Sequence, residues 1–174
     1  VLNLLKLKIK KKLLDKILIS LGSDVPFCFY GKTSIVRGFG NKIIPVFPIP
    51  NLYVLLVNPL IEVSTKKIFN KIEKFTRIKT EYPMKKIKND VFFELLSKSK
   101  NDLEDLVRRE YPDIKKILDI FQEKTNSIFF RMSGSGATCF AFFENQDNLK
   151  TAESILKKRK EKWWIRSGKI LNHI

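Results

Sequence analysis

One carboxylate stands in an otherwise apolar stretch, "ISLGSDVPFCFYGK", at residues 19–32. This carboxylate, Asp24, follows Gly22 and Ser23 and precedes a Val-Pro-Phe run. A carboxylate at a Gly-Ser turn can act as a general base, or it can orient a nucleophilic hydroxyl group. It can equally form an Asx turn that ends a preceding helix at Gly22. The stretch alone therefore leaves a catalytic and a structural interpretation of Asp24 open.

A second stretch, "RMSGSGATCFAFF" at residues 131–143, places a loop of small residues between two apolar runs. Consecutive backbone N–H groups without bulky side chains allow phosphate oxygens to approach closely. A simple hairpin turn has the same composition, so this interpretation stays open as well. The loop is neither a P-loop nor a dinucleotide fingerprint, because the Lys-Ser/Thr pair and the GxGxxG spacing are absent. Its residues are Ser133, Gly134, Ser135, Gly136 and Ala137.

The charge of the chain suggests an anionic partner. Its 174 residues include 34 basic and 18 acidic side chains, for a formal net charge of +16. Nucleic acid, an anionic membrane or a phosphorylated small molecule would each fit. A nucleic-acid-binding module is supported by the 14 Phe and 4 Tyr, which could stack on bases. Against it, no RRM-like or helix-turn-helix motif is visible, the aromatics lie in core-like apolar runs, and the lysines are spread along the chain.

Several other classes of protein are disfavoured. The uncharged run at residues 43–61 contains four prolines, which would break a membrane-spanning helix, so we predict no transmembrane segment. Cys28 and Cys139 are isolated in apolar surroundings, which predicts two buried thiols in a reducing cytoplasm. The only histidine is His173, so no metal site is predicted from the side chains.

Hydrophobic spacing, helix caps and turn residues predict a mixed α+β chain with a largely antiparallel sheet. Helices are predicted over 2–17 (with a stop at Gly22), 65–75, 91–97, 101–124 in two pieces divided at Pro112, and 149–160. Strands are predicted over 25–30, 33–36, 53–57, 128–132, 138–143 and 163–171. A proline-rich linker from residue 43 and a polar loop over 76–90 connect them.

Four segments in this order resemble the GHMP kinase superfamily: "LGSDVPFCFYG", "VNPLIEVSTKKIF", "NDLE" and "RMSGSGATCFAFF". The resemblance covers nearly the whole chain and implies a two-domain α+β GHMP kinase fold. Residues 1–45 would be the latter part of the N-terminal, ATP-binding domain. Residues 46–174 would be a complete, ferredoxin-like C-terminal α/β sandwich. The family's catalytic lysine and main ATP-binding loop are expected before Val1, so residues 1–174 alone are expected to lack kinase activity.

The same resemblance implies the activity and its partners. It implies transfer of the γ-phosphoryl group of ATP, with Mg²⁺, to a hydroxyl of a cytidine diphosphate-type molecule in a non-mevalonate route to isoprenoid precursors. Another GHMP small-molecule kinase is the alternative within the superfamily. The protein is expected to act in the cytoplasm as a monomer or homodimer, without a nucleic acid or membrane partner.

The resemblance also implies roles for individual residues. Asp24 would take the proton from the substrate hydroxyl or orient that hydroxyl, and the loop 133–137 would lie against phosphates and substrate. Thr65 and Phe69 would line the cytidine side of the pocket, although a helix cap and a core aromatic are equally open interpretations. The NDLE segment, residues 101–104, is interpreted as helix capping and not as chemistry.

Overall fold

The computed structural model describes residues 8–46, 50–73, 75–76, 88–159 and 161–170. They fall into two compact units, which we call unit 1 (described residues 8–46) and unit 2 (described residues from 50 to 170). The predicted domains, an ATP-binding domain up to residue 45 and a C-terminal domain from residue 46, stay predictions. The predictions for residues 1–7 and most of the polar loop at 76–90 lie outside the described residues.

Unit 1 consists of two helices and a hairpin. Helix α1 (Lys11–Leu21) ends at Gly22, as the sequence predicts, and a short helix α2 (Val25–Tyr30) follows it. Strands β1 (Ser34–Arg37) and β2 (Lys42–Pro45) pair in antiparallel fashion. The hydroxyl of Tyr30 donates to the carboxylate of Asp15 at 2.5 Å, which joins α2 to α1 and raises the pKa of Tyr30.

Three predictions for unit 1 are wrong. Residues 25–30 form the helix α2 and not a strand, because Pro26 in the first turn favours a helix start and Gly31, with a φ of 59°, ends it. The β-branched and aromatic side chains of this stretch had favoured a strand. Cys28 is exposed on this short helix and not buried. The second hairpin strand, β2, occupies residues where the sequence predicted the start of an extended linker.

Unit 2 contains a four-stranded antiparallel sheet in the order β4-β5-β3-β6. Its strands are β3 (Tyr53–Asn58), β4 (Phe129–Met132), β5 (Cys139–Phe143) and β6 (Trp164–Lys169). The two central strands, β3 and β5, are flanked by the last and the second strand of the unit. This is the strand order and β-α-β-β-α-β sequence of a ferredoxin-like fold, as expected.

Five helices accompany this sheet: α3 (Thr65–Asn70), α4 (Asn89–Lys98), α5 (Glu104–Glu110), α6 (Pro112–Lys124) and α7 (Gln146–Lys157). The predicted break at Pro112 is confirmed, since this proline starts α6. Helix α3 begins where predicted, capped by Ser64, but it ends at Asn70 and not near residue 75.

One face of the sheet and these helices enclose the hydrophobic core. Alternate strand residues point into it, and α6 and α7 supply most of the facing side chains. Core residues with no exposed surface include Leu55, Val57, Ile68, Val107, Ile114, Ile117, Leu118, Phe121, Cys139, Ala141, Phe143 and Ala152. The burial predicted for Cys139 is therefore confirmed. None of the described helices has both the length and the apolar character that spanning a bilayer requires.

Candidate functional site

The loop 133–137 connects β4 to β5 at one end of the sheet. The N–H of Ser133 donates to the carbonyl of Thr138 at 2.8 Å, and the N–H of Gly136 donates to the carbonyl of Ser133 at 2.9 Å. Within the described part of the chain, the N–H groups of Gly134 and Ser135 donate to no other residue. Not all of the loop's amides are therefore available to a phosphate, but two adjacent ones are.

The two loop glycines have different surroundings. Gly134 has a φ of 54°, and a Cβ built on it would meet no atom within 4 Å. Gly136 has a φ of 92°, and a Cβ there would lie 3.0 Å from the sulfur of Met132 and 3.4 Å from Cδ1 of Ile114. Gly136 therefore allows the loop to pack against the core, whereas Gly134 leaves the outer side of the loop open to an approaching ligand.

A side chain of α3 reaches this loop. The hydroxyl oxygen of Thr65, the first residue of the helix, lies 2.8 Å from the hydroxyl oxygen of Ser135. Ser64, not Thr65, caps the helix by accepting from the N–H of Lys67 at 3.4 Å. The structure thus brings together two of the residues singled out in the sequence, one from the predicted substrate side and one from the predicted phosphate side.

Phe69 lies one helical turn after Thr65 and is not a core residue. Its side chain is 48% exposed, and the ring of Phe75, which is 61% exposed, lies beside it with centroids 6.3 Å apart. Positions four apart on a helix lie on the same face, so Phe69 projects from the face of α3 that carries Thr65. The alternative interpretations of a helix cap and a core aromatic are therefore wrong for both residues, whereas their binding roles stay predictions.

The NDLE segment contacts the loop directly, which sequence reasoning missed. The amide nitrogen of Asn101 donates to the carbonyls of Met132 at 3.1 Å and Gly134 at 2.8 Å. The carboxylate of Glu104 accepts from the N–H of Met132 at 2.7 Å. Asn101 accepts from the N–H of Leu103 at 3.1 Å, which forms a local turn, but α5 begins at Glu104 without a side-chain cap hydrogen bond. The interpretation of this segment as helix capping is therefore wrong, and its side chains instead hold the end of β4 and the start of the loop.

The intervening residue, Asp102, binds elsewhere. Its carboxylate accepts from the N–H of Thr76 at 2.7 Å and from the hydroxyl of Thr76 at 2.5 Å. These two hydrogen bonds lower the pKa of Asp102. An Asn-Asp pair before a helix is a common capping signal, and no sequence pattern distinguishes it from a pair that makes such long-range contacts.

Asp24 lies in unit 1, at the start of α2. Its side chain is exposed and makes no capping hydrogen bond, so the Asx-turn interpretation is not what the structure shows. The nearest polar partner is the hydroxyl of Ser23, 3.5 Å from a carboxylate oxygen. A Cβ at Gly40 would lie 1.8 Å from the carbonyl oxygen of Ser23, so the hairpin turn packs directly on the backbone before Asp24. No basic side chain among the described residues pairs with this carboxylate, and the backbone before it is held by its packing against the hairpin turn.

The buried thiol of unit 2 and two of its basic side chains are engaged within the fold. Burial raises the pKa of the Cys139 thiol to about 12, so this cysteine stays protonated. Arg108 and Lys115 both bind the carboxylate of Asp119, at 2.8 Å and 2.6 Å, so these basic side chains are engaged within the fold. Nowhere in the described ranges do three His, Cys, Asp or Glu side chains come close enough together to hold a metal ion.

Comparison with known proteins gives a family match and a group of similar kinases. The family description "GHMP kinases C terminal" matches residues 84–162. The chain is 35% identical, over 162 residues, to a 4-diphosphocytidyl-2-C-methyl-D-erythritol kinase of Ehrlichia chaffeensis, a match that covers 91% of the chain and 57% of that protein. It is 38% identical over 151 residues to the kinase of the same name from Anaplasma marginale, covering 84% and 51% respectively. The chain thus spans a little over half the length of these relatives.

Solved structures agree on the fold. A 4-(cytidine 5'-diphospho)-2C-methyl-D-erythritol kinase aligns with a TM-score of 0.65 at 23% identity, over 88% of this chain and 56% of that one. A homoserine kinase from Cytophaga hutchinsonii aligns with a TM-score of 0.53 at 18% identity, over 85% and 50%. The ferredoxin-like sheet, the loop between β4 and β5 and the family match over residues 84–162 lead to one conclusion. Residues 84–162 are a GHMP kinase C-terminal domain.

Proposed function

We propose that the protein transfers the γ-phosphoryl group of ATP to a hydroxyl of 4-diphosphocytidyl-2-C-methyl-D-erythritol, in the non-mevalonate route to isoprenoid precursors. The identities of 30–38% to kinases of this name support the choice of substrate. The contact that carries the proposal is the one between Thr65 and Ser135, because it joins the expected cytidine side of the site to the expected phosphate side.

Each of the residues that the resemblance singles out would have a chemical task. Phosphoryl transfer depends mostly on positioning and charge stabilisation. The free N–H groups of Gly134 and Ser135 would bind phosphate oxygens at the open side of the loop. Phe69 would offer its exposed ring to the cytosine. Asp24, whose carboxylate has no basic partner within the described ranges, would take the proton from the acceptor hydroxyl or orient that hydroxyl.

The proposal includes Mg²⁺ bound together with ATP. This ion typically retains waters and binds through substrate phosphates and one or two carboxylates, so it needs no cluster of three protein ligands. The chemistry that the ion would supply is neutralisation of charge on the transferred phosphoryl group.

We further propose that the protein acts in the cytoplasm, as a monomer or homodimer. Its two free cysteines support that location.

The test is an activity measurement on a chimeric kinase, in which this chain replaces the matching 57% of the Ehrlichia chaffeensis relative. The unaltered relative is the positive control, and residues 1–174 alone are assayed beside it. We expect the chimera to release ADP with the diphosphocytidyl substrate at roughly 1–100 s⁻¹ and to be inactive with homoserine. A folded chimera that prefers homoserine, or that uses neither compound, would contradict the proposal.

A further inference from the structure

Eight residues of unit 2 form a closed circuit of contacts that begins and ends at the loop 133–137. From Ser135 the circuit passes to Thr65 by a hydrogen bond, along α3 to Phe69, and by ring contact to Phe75. Thr76 follows Phe75 and binds Asp102, and the neighbouring Asn101 returns to the loop at the carbonyl of Gly134. The phosphate side and the aromatic side of the proposed site are thus parts of one connected framework.

Asp102 closes the circuit. Both of its carboxylate oxygens are used, one by the backbone N–H of Thr76 at 2.7 Å and one by its hydroxyl at 2.5 Å. Two hydrogen bonds from one residue to one carboxylate fix the backbone as well as the side chain of Thr76. Because Phe75 is the preceding residue, its position relative to Phe69 depends on this pair of bonds.

The rings of Phe69 and Phe75 are exposed to solvent, whereas phenylalanine side chains are most often buried. Phe69 and Phe75 are 48% and 61% exposed, yet they lie side by side with their planes inclined at 37°. Neither contributes to the hydrophobic core. Two adjacent exposed rings offer a planar base a larger apolar contact than a single ring does.

We propose that Phe75 provides a second aromatic surface for the base of the substrate, and that Asp102, acting through Thr76, is the positioning residue that holds it there. This inference rests on the proposed function, since it concerns the nucleoside side of the same site. The ligand class is a pyrimidine nucleoside diphosphate, whose base would contact the rings while its phosphates lie toward the loop.

The first experiment measures binding to residues 1–174 by chemical-shift titration, with two probes. Cytidine 5'-diphosphate carries the base, and inorganic pyrophosphate does not. Phe75→Leu keeps the apolar volume but removes the flat ring, and Phe75→Tyr restores the ring. We expect Phe75→Leu to weaken binding of cytidine 5'-diphosphate by about 5- to 100-fold, as for loss of base stacking. Pyrophosphate binding should not change, and Phe75→Tyr should bind both probes normally.

The second experiment tests the positioning role without any ligand. Thr76→Val removes only the hydroxyl donor, whereas Thr76→Ser keeps it, so the two form a matched pair. Asp102→Ala removes both bonds, and Asp105→Ala, which removes an exposed carboxylate paired with Lys100, is the control. Asp102→Ala and Thr76→Val should weaken the nuclear Overhauser contacts between the rings of Phe69 and Phe75, and should weaken binding of cytidine 5'-diphosphate. Thr76→Ser and Asp105→Ala should change neither.

The outcomes separate this inference from the proposed function. If Phe69→Leu weakens binding of cytidine 5'-diphosphate and Phe75→Leu does not, the role of Phe75 is rejected and the proposed substrate class stands. If Asp102→Ala leaves the ring contacts and the affinity unchanged, Asp102 is not a positioning residue. If the unsubstituted chain binds no cytidine 5'-diphosphate at millimolar concentration, the substrate class fails, and this inference fails with it.

Discussion

The hydroxyl groups of Thr65 and Ser135 lie 2.8 Å apart, although one belongs to the first turn of α3 and the other to the loop between β4 and β5. We expect the double variant of Thr65→Val and Ser135→Ala to reveal a coupling free energy of about 0.5–1.5 kcal/mol, the net value of one hydrogen bond. Urea denaturation of the two single variants and the double variant measures it.

Ser64→Ala is the control for this cycle. It removes the helix cap, at a cost of about 1 kcal/mol, and leaves the bond between Thr65 and Ser135 in place. Its effect should therefore add to that of Ser135→Ala. Simple additivity of Thr65→Val and Ser135→Ala would show that the contact does not hold the loop.

The two loop glycines give a second prediction. Gly134→Ala should lower the free energy of unfolding by about 1–2 kcal/mol, the cost of a left-handed backbone. Gly136→Ala should lower it by a further 1–3 kcal/mol or so, because the new methyl group also crowds Met132 and Ile114. Only Gly134→Ala should weaken pyrophosphate binding while the fold stays intact. Equal losses of stability in the two variants would disprove the asymmetry.

Glu104 gives a third prediction, because its carboxylate accepts from the N–H of Met132. Glu104→Ala leaves that donor without its partner and should cost about 1–3 kcal/mol of stability. Glu104→Gln keeps an acceptor oxygen and should cost less. Amide exchange at Met132, followed by NMR, should accelerate in Glu104→Ala and remain slow in Glu104→Gln. Equally fast exchange in both variants would mean that the charge of Glu104, and not its hydrogen bond, protects the amide of Met132.

Asp24 gives a fourth prediction, tested in the chimeric kinase. Asp24→Asn should reduce turnover by roughly 10²–10⁴-fold, as for loss of a general base, with little change in melting temperature. Asp15→Asn removes the other described carboxylate of unit 1, the partner of Tyr30, and should leave turnover nearly unchanged. Near-normal turnover in Asp24→Asn would remove this residue from the chemistry.

The thiols give a fifth prediction. At pH 8 a thiol reagent should label the exposed Cys28 rapidly and Cys139 only when unit 2 opens, because burial raises the pKa of Cys139 to about 12. Mass spectrometry of peptides labelled over time measures both rates. Rapid labelling of Cys139 in the folded chain would contradict its burial.

The same pKa makes stability depend on pH. The unfolded thiol loses its proton near pH 8.5, whereas the folded one keeps it to about pH 12. The contribution of Cys139 is therefore complete below pH 8.5 and falls as the pH rises toward 12. The stability difference between the unsubstituted chain and Cys139→Ala should shrink over that range, and a constant difference would contradict the prediction.

Local signals in the sequence predicted most of unit 2. The starts of α3 and α6 were predicted from the cap Ser64 and the helix-starting Pro112, and strands β3 and β5 from their alternating apolar residues. Each of these signals acts within a few residues. The same reasoning failed for residues 25–30, where side chains typical of strands outweighed the helix-starting proline. It also extended α3 too far, because the apolar residues Ile72 and Phe75 continue the helical spacing beyond Asn70.

The candidate site was only partly predictable for a different reason. Small residues and an isolated carboxylate are visible as patterns, so the loop 133–137 and Asp24 could be singled out. The contacts of Asn101, Asp102 and Glu104 reach residues distant in sequence, and a capping signal hides them. Tertiary contacts of this kind have no local signature, so only the structure revealed them.

The position of β3 in the sheet has a consequence for how the protein folds. The ribosome synthesises this strand before the other strands of the sheet, although β3 lies in the centre of that sheet. Its partners are synthesised much later, since Leu55 pairs with Ala141 on one side and with Ser167 on the other. Within this four-stranded sheet, only the described strands β4 and β5 are close in sequence and paired. Contacts so distant in sequence slow folding, because long loops must close before the pairing stabilises them. During synthesis both edges of β3 therefore stay unpaired until β5 has left the ribosome, and one edge stays unpaired until β6 has followed. In that interval the nascent chain is most exposed to aggregation.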